Sequence, residues 1–441
     1  MDRVKTCERV CGRLRVGAGA PTFGAPTHQG ARSHREIRVR NRLLVSLVLL
    51  AVRADAGEPE PWARLWGPEG TGAAVAARAL PASLRVHEVW RRPLGSGFSA
   101  LSVDGARAYT GVSEGASDFL EALDLAGGRT LWRARLGDTY RGHDGSKDGP
   151  LSTPTVDGGR VFIVGPRGVL LAADAATGRE LWRLDLATDL AAPAPFYGFA
   201  TSPLVVGDRV IVSVGGEAHN LSAFDAATGK RLWSVAHAKG SGYGSPVRAT
   251  IAGEPQVLVL AGDLVYGVRA ADGALRWSHP TGWGGESSRP PVVLPGDRVL
   301  LPGDEESKLL QVKASGGTMT ASPLWTSPRL KGGFSPTVFH DGRLFGMNGA
   351  YLVCLDPATG EAVWRHKVYA GSLILVDGHA VILGESSGDL RIGRLTPRGF
   401  EERLTRPVFN AGAASYTGPS FAGTRFYLRN VEEAVALELE G

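Results

Sequence analysis

The feature that most restricts what this chain can become is a five-residue turn that recurs with a tryptophan at fixed distance behind it. Asp174-Ala175-Ala176-Thr177-Gly178 is followed by Trp182, Asp225-Ala226-Ala227-Thr228-Gly229 by Trp233, and Asp356-Pro357-Ala358-Thr359-Gly360 by Trp364. Segments 152–186, 201–237 and 334–368 follow one plan around these turns, and 244–280 follows it more loosely. Each segment opens on Ser or Thr before Pro and runs into a short apolar strand. A Gly/Asp turn comes next, then a β-branched strand such as Arg209-Val210-Ile211-Val212. A third strand enters the D-x-x-T-G turn, and a fourth carries the Trp. Asp at the turn can accept bonds from the amides that follow it, and Gly tolerates positive φ. Short strands bounded by turn residues read as β. One such four-stranded unit cannot bury both faces alone, so the units must stack on one another.

The marker residues Trp132, Trp182, Trp233, Trp277, Trp325 and Trp364 are spaced 50, 51, 44, 48 and 39 residues apart. A seventh unit, 371–408, has the strands but no Trp. An eighth, 415–440, has three strands, and Glu88–Leu94 with Trp90 supplies the fourth from the other end of the chain. The expectation is an all-β, eight-bladed propeller of four-stranded antiparallel blades closed by an N-terminal strand. Seven blades is the alternative, with 415–440 as a cap. Closure of this kind leaves no open seam in the ring. The 60 glycines among 441 residues suit so many tight turns.

The formal charge of +5 belongs to the start of the chain. Eleven of the 49 basic and four of the 44 acidic residues lie in 1–56, so the remainder carries 38 basic and 40 acidic, a net of −2. That gives no support for a nucleic-acid partner. Arg38, Arg40 and Arg42 precede the apolar run Leu43–Val52, and Ala54-Asp55-Ala56 follows. This is the order of a secretory signal, and the run is too short to span a bilayer. The division expected is a leader and signal peptide over 1–56, an N-terminal extension packing on the propeller over 57–87, and the propeller over 88–441. Cys7 and Cys11 fall in the leader, which leaves Cys354 alone in the mature chain and rules out an internal disulfide there. The mature chain is expected to carry no transmembrane helix and to work in the periplasm or outside the cell.

The pattern A-x-D-x-x-T-G-x-x-x-W, at Ala172–Trp182 and Ala223–Trp233, resembles the PQQ-type β-propeller repeat. The opening Trp62–Gly72 is similar to the W-x-x-W/F-R-G-P-x-x-x-G start of secreted PQQ-binding-like repeat proteins, with Leu65 where that start has Arg. The resemblance covers roughly 89–440. It implies that Trp90, Trp132, Trp182, Trp233, Trp277, Trp325 and Trp364 dock onto neighbouring blades. Two functions occur on similar propellers. Quinoprotein alcohol and glucose dehydrogenases hold PQQ and Ca²⁺, whereas the outer-membrane assembly lipoprotein is a scaffold. The chain has no adjacent cysteine pair and no haem attachment motif, and no calcium ligand of the dehydrogenases is carried over to it.

The outer-to-inner connections share one face of such a ring, and loops there carry function. Gly137–Leu151 offers Tyr140, Arg141, His143, Asp144, Lys147 and Asp148, either as a polar ligand rim or as a solvated Gly-rich loop. Ala187–Ala200 offers Phe196, Tyr197 and Phe199, as interaction anchors or as a plug of the channel. Tyr243 sits at an equivalent junction. Trp283 with Glu286 and Arg289 makes a stacking surface beside two charges, or simply packing with a local ion pair. The ligand-binding candidates are therefore Arg141, His143, Tyr197, Tyr243, Trp283, Glu286 and Arg289. No catalytic residue, metal ligand or cofactor is expected. The reading is a secreted, non-catalytic binding or scaffold propeller of the bacterial envelope, with an envelope protein or glycan as partner. The alternative is a PQQ/Ca-dependent oxidoreductase acting on alcohols or sugars.

Overall fold

The computed structural model describes residues 61–440, apart from 78, 82, 144–146, 217–218, 239–241, 284–287 and 331–332. The leader and its proposed cleavage site, with Cys7 and Cys11, lie outside the described residues.

The described strands assemble into eight sheets, each a four-stranded antiparallel blade, and Ala73–Ala74 adds a short parallel strand to the inner edge of one of them, along Leu375 and Val376. Ser102–Asp104, Arg107–Glu114, Ser117–Asp124 and Thr130–Asp138 form blade 1. Blades 2 to 7 repeat this order from the inner strands Thr155–Asp157, Leu204–Val206, Val247–Ile251, Val292–Leu294, Val338–His340 and Gly371–Val376. Blade 8 has Ser420–Ala422, Arg425–Arg429 and Glu433–Glu440, and its outer strand is Arg85–Pro93, with Trp90 opposite Ala436. Residues 415–440 are thus a true blade, and the ring has eight. Apart from the short helix Leu186–Asp189, capped by Asp185, the described regular structure is all β.

The turns form as their residues require. Asp174 Oδ1 accepts the amide of Thr177 at 2.9 Å and its hydroxyl at 2.7 Å, while Gly178 donates its N–H to the Asp174 carbonyl at 2.8 Å with φ of +72°. Asp225 repeats both bonds with Thr228. Each outer strand then bulges just before the Trp position, as between Glu180 and Trp182. A bulge twists an exposed edge away from further pairing.

Six of the seven marker tryptophans reach across to the next blade. Trp90 Nε1 donates to Leu125 O, Trp132 to Ala175 O, Trp182 to Ala226 O, Trp233 to Ala270 O, Trp325 to Pro357 O and Trp364 to Thr396 O, at 2.9–3.3 Å. Where the next blade has the turn glycine, the ring lies on it. A Cβ at Gly178 would come within 2.5 Å of the Trp132 ring, and one at Gly229 within 2.8 Å of Trp182. Trp277 departs from the series and donates to Gln256 of its own blade at 2.9 Å. The cause is local: blade 5 has a long hairpin through Gly316-Gly317 in place of the D-x-x-T-G turn, so no equivalent carbonyl is presented. In blade 7, which lacks the Trp, Leu404 takes the corresponding register opposite Ile392.

The apolar core is distributed between blades. Phe162, Val164, Leu170 and Ala172 of blade 2 pack on Val205, Val210, Val212 and Phe224 of blade 3, and analogous clusters fill the other seams. Cys354 is a buried member of one such seam.

The segment before Arg85 lies along the inner strands. Trp62 O accepts from Val103 of blade 1, Ala63 O from Val156 of blade 2 and Gly72 O from Leu375 of blade 7, at 2.7–2.8 Å. Between them Glu69 pairs with Arg248 of blade 4. The Trp62 ring is buried, and Gly67, at φ +85°, turns the chain directly against it. A single stretch that touches blades 1, 2, 4 and 7 must cross the central channel, and it does so where the inner strands end.

Candidate functional site

The opposite end of the channel, where the inner strands begin, is a cavity of about 550 Å³. Its floor includes Leu65 and Trp66 of the crossing segment. Its wall carries the hydroxyl residues that open the repeats, Thr153, Ser202, Ser245 and Thr417. Three of these side chains link the blades, whereas the Thr417 hydroxyl donates to Arg429 O of its own blade. Ala100 N donates to Thr153 Oγ1 at 3.1 Å, Thr153 N to Ser202 Oγ at 2.9 Å, and Ser202 N to Ser245 Oγ at 2.9 Å. Each of the three thus caps the amide that begins the preceding blade.

The rim is aromatic. Phe98, Tyr140, Tyr197, Tyr243, Phe334 and Tyr416 line the cavity, each from a different outer-to-inner connection. On one side Tyr243 Oη accepts the Tyr197 amide at 3.0 Å, and the two rings lie 5.9 Å apart. On the other, Tyr416 meets Phe98 at 5.3 Å and Phe334 at 5.1 Å. Lys147 and Asp304, of opposite sign, are the charged residues among the described lining.

Of the residues singled out in the sequence, Tyr197 and Tyr243 line the cavity. His143 stands just behind, stacked on Tyr197 at 5.5 Å and edge-on to Phe196 at 4.4 Å. Arg141 pairs with Asp148; desolvation, the largest single influence, pushes that carboxyl up, but the Gly142 amide and Arg141 together outweigh it and hold the group below its ordinary range. Phe199 is buried, whereas Phe196 is exposed. Trp283 and Arg289 converge on Gly303 rather than on the cavity. The Trp283 ring packs against Gly303 with Lys308 5.3 Å from its centroid, and Arg289 Nη2 donates to Gly303 O at 2.5 Å. Arg289 is buried, and that burial pulls its guanidinium down to about 10. Glu286, and with it the proposed ion pair, lies outside the described residues, as does Asp144.

Phe98, Phe334 and Tyr416 were not read from the sequence, yet a signal exists. Each stands directly before the Ser or Thr that opens an inner strand, as in Phe334-Ser335-Pro336 and Tyr416-Thr417. The floor at Leu65-Trp66 had no such signal, because only the crossing of the ring brings it there.

Comparison with known proteins gives one consistent picture of kind. Residues 116–320 match the family model described as outer membrane protein assembly factor BamB. The BamB of Burkholderia pseudomallei is 27% identical over 328 residues, which cover 69% of this chain and 76% of that protein. Among solved structures, BamB from Moraxella catarrhalis superposes with a TM-score of 0.57 at 15% identity, covering 80% of this chain and 100% of that one. Quinohemoprotein alcohol dehydrogenase from Comamonas testosteroni superposes with a TM-score of 0.62 at 13% identity, covering 88% and 81%. At such identities the superpositions establish the fold and nothing about chemistry.

The dehydrogenases raise the question of PQQ with Ca²⁺. Calcium takes six to eight oxygen ligands, several of them carboxylate. The described lining offers one carboxylate, Asp304, and one cation, Lys147, to meet a quinone that bears several carboxylates of its own. No group of three or more His, Cys, Asp or Glu among the described residues is placed to hold a metal. This donor set does not fit the quinone and its calcium. Repeat, fold and sequence likeness nevertheless agree with one another, and the chain is a PQQ-like β-propeller repeat protein.

Proposed function

We propose that the protein is a secreted, non-catalytic binding or scaffold propeller of the bacterial envelope. The observation that carries this reading is the extent of its likeness to an outer membrane protein assembly factor, which runs through 69% of this chain and 76% of that one. A partner that is held rather than transformed needs a rigid ring and an exposed recognition surface. In this reading Trp90, Trp132, Trp182, Trp233, Trp325 and Trp364 lock the blades, with Trp277 stiffening its own blade. Tyr197 and Tyr243, backed by His143, belong to the recognition surface. The leader over 1–56 directs export to the periplasm or beyond. No helix among the described residues is long and apolar enough to cross a membrane.

Two measurements on the mature chain from Gly57 test the proposal. Crosslinking in envelope fractions followed by mass spectrometry is expected to recover outer-membrane assembly proteins. Equilibrium binding of PQQ is expected to be absent at high micromolar concentration, with or without Ca²⁺. Calcium-dependent micromolar binding of PQQ, joined to oxidation of an alcohol or sugar, would replace the scaffold by the dehydrogenase reading.

A further inference from the structure

We propose that the mouth of the channel binds the end of a short neutral oligosaccharide. The proposal rests on the reading of the chain as a binding propeller and names the ligand class for its open end. Six of the eight outer-to-inner connections contribute an aromatic ring to one cavity. Phe334 and Tyr416 are exposed, 49% and 39%, so these rings present faces to solvent and are not spent on the core.

A sugar ring has apolar C–H faces and a belt of hydroxyls. Aromatic faces, which carry negative charge density, suit the former. Hydroxyl donors and acceptors suit the latter. Below the rim, Thr153, Ser202 and Ser245 are nine-tenths or more buried and line the cavity. Each already accepts a backbone amide. No described residue accepts from their O–H groups, which leaves three donors in an arc beneath the rings. A cavity of about 550 Å³ lies within the range, about 300–1,000 Å³, that holds small organic ligands.

Other ligand classes fit less well. An extended peptide is bound chiefly by backbone pairing along a free strand edge. Here the amides of Ala100, Thr153 and Ser202 are taken by neighbouring hydroxyls. An anion needs convergent cations, and Lys147 is offset by Asp304. A purely aliphatic ligand would leave the hydroxyl arc unsatisfied.

The test is calorimetric titration of the full chain with chitotriose, cellotriose and maltotriose, with trigalacturonic acid and trialanine as comparators. At least one neutral trisaccharide is expected to bind with Kd below about 1 mM. Tyr197→Ala and Phe334→Ala, on opposite sides of the mouth, are each expected to weaken it by about tenfold with little change in Tm. Tyr369→Ala, an exposed ring that does not line the cavity, is expected to leave binding unchanged. Three results overturn the proposal: no neutral trisaccharide bound at about 10 mM, tighter binding of trigalacturonate or trialanine, or binding indifferent to both mouth variants. Such a failure would leave crosslinks to assembly proteins standing, whereas loss of those crosslinks with sugar binding intact would remove only the assembly role.

Discussion

Arg429 Nη2 donates to the carbonyl of Gly97 at 2.9 Å, and this bond joins the second strand of blade 8 to the chain entering blade 1. It is one of a set. The same guanidinium donates to the carbonyls of Gly95, Ser99 and Gly111 and to the Thr110 hydroxyl, at 2.7–3.1 Å. Burial pulls its pKa down to about 9, which still leaves the group cationic at neutral pH, and every acceptor it touches favours that form. Glu121, also buried, lies near and pairs with Arg92 and Arg133 at 3.3 and 3.2 Å. The seam where the ring closes is therefore fastened twice, by the strand Arg85–Pro93 and by a buried cation.

Replacing Arg429 by Met removes the donor and leaves several buried carbonyls without one. Each such group costs about 1–3 kcal/mol. The variant is expected to lose at least about 3 kcal/mol of stability, read from urea unfolding. Arg429→Lys is expected to recover only part of this, because an ammonium cannot reproduce the planar fork. Wild-type stability in the Met variant would show that the closing seam does not depend on the guanidinium.

The pairing of Trp132 with Gly178 makes a second prediction, with its own internal control. Gly178→Ala forces a non-glycine residue to φ +72° and drives a Cβ into the Trp132 ring. Gly207 has a similar φ, +60°, with nothing within 4 Å of a Cβ built there. The αL cost alone is about 1–2 kcal/mol, and overpacking adds about 1–3 kcal/mol. Melting temperatures are expected to fall clearly further for Gly178→Ala than for Gly207→Ala. Trp182→Ala is expected to cost about 3–5 kcal/mol, as large aromatic truncations do. Equal shifts in the two glycine variants would mean that the ring yields without cost.

Acid stability should report on the turns. The Asp174 and Asp225 carboxyls are held below their ordinary range, chiefly by the hydroxyls of Thr177 and Thr228 and then by the amides of the same residues. Asp272 lies at about 2, chiefly through the Arg269 side chain. With depressed values in the folded state, the unfolded chain takes up protons first as pH falls. The contribution of these turns is thus complete above the ordinary carboxyl value, about 3.9, and is lost as pH drops toward the folded values. The Asp174→Asn, Asp225→Asn double variant is expected to be less stable than the parent at pH 7, with the gap narrowing progressively as pH falls below about 3.9. A stability gap that stays constant through that acid range would show that the carboxylate charge is irrelevant to the turns.

Much of the fold was legible because it is written in local chemistry. The D-x-x-T-G turns at 174–178, 225–229 and 356–360 dictate their own hydrogen bonds, and the apolar strands between them have one geometry open to them. Repetition then implies a ring, and the spare strand around Trp90 implies its closure. The candidate site was legible in part. Tyr197 and Tyr243 stand on connections whose position follows from blade order, so their placement at the channel mouth could be foreseen. Trp283 and Arg289 looked similar in sequence, but their side chains turn toward Gly303, and nothing in residue type announces a rotamer.

What the sequence by itself determined is the blade, because turns, alternation and the Trp register act over a few residues. What only the tertiary structure decided is everything that depends on residues far apart in the chain meeting around the axis. The crossing segment 62–74 floors the cavity, aromatic residues more than 300 positions apart share one rim, and Arg429 finds the carbonyls of Gly95 and Gly97. The physical reason is closure. Once eight similar blades are forced into a ring, the inner ends of all of them face a common space, and the side chains there are selected by that space rather than by their neighbours in sequence.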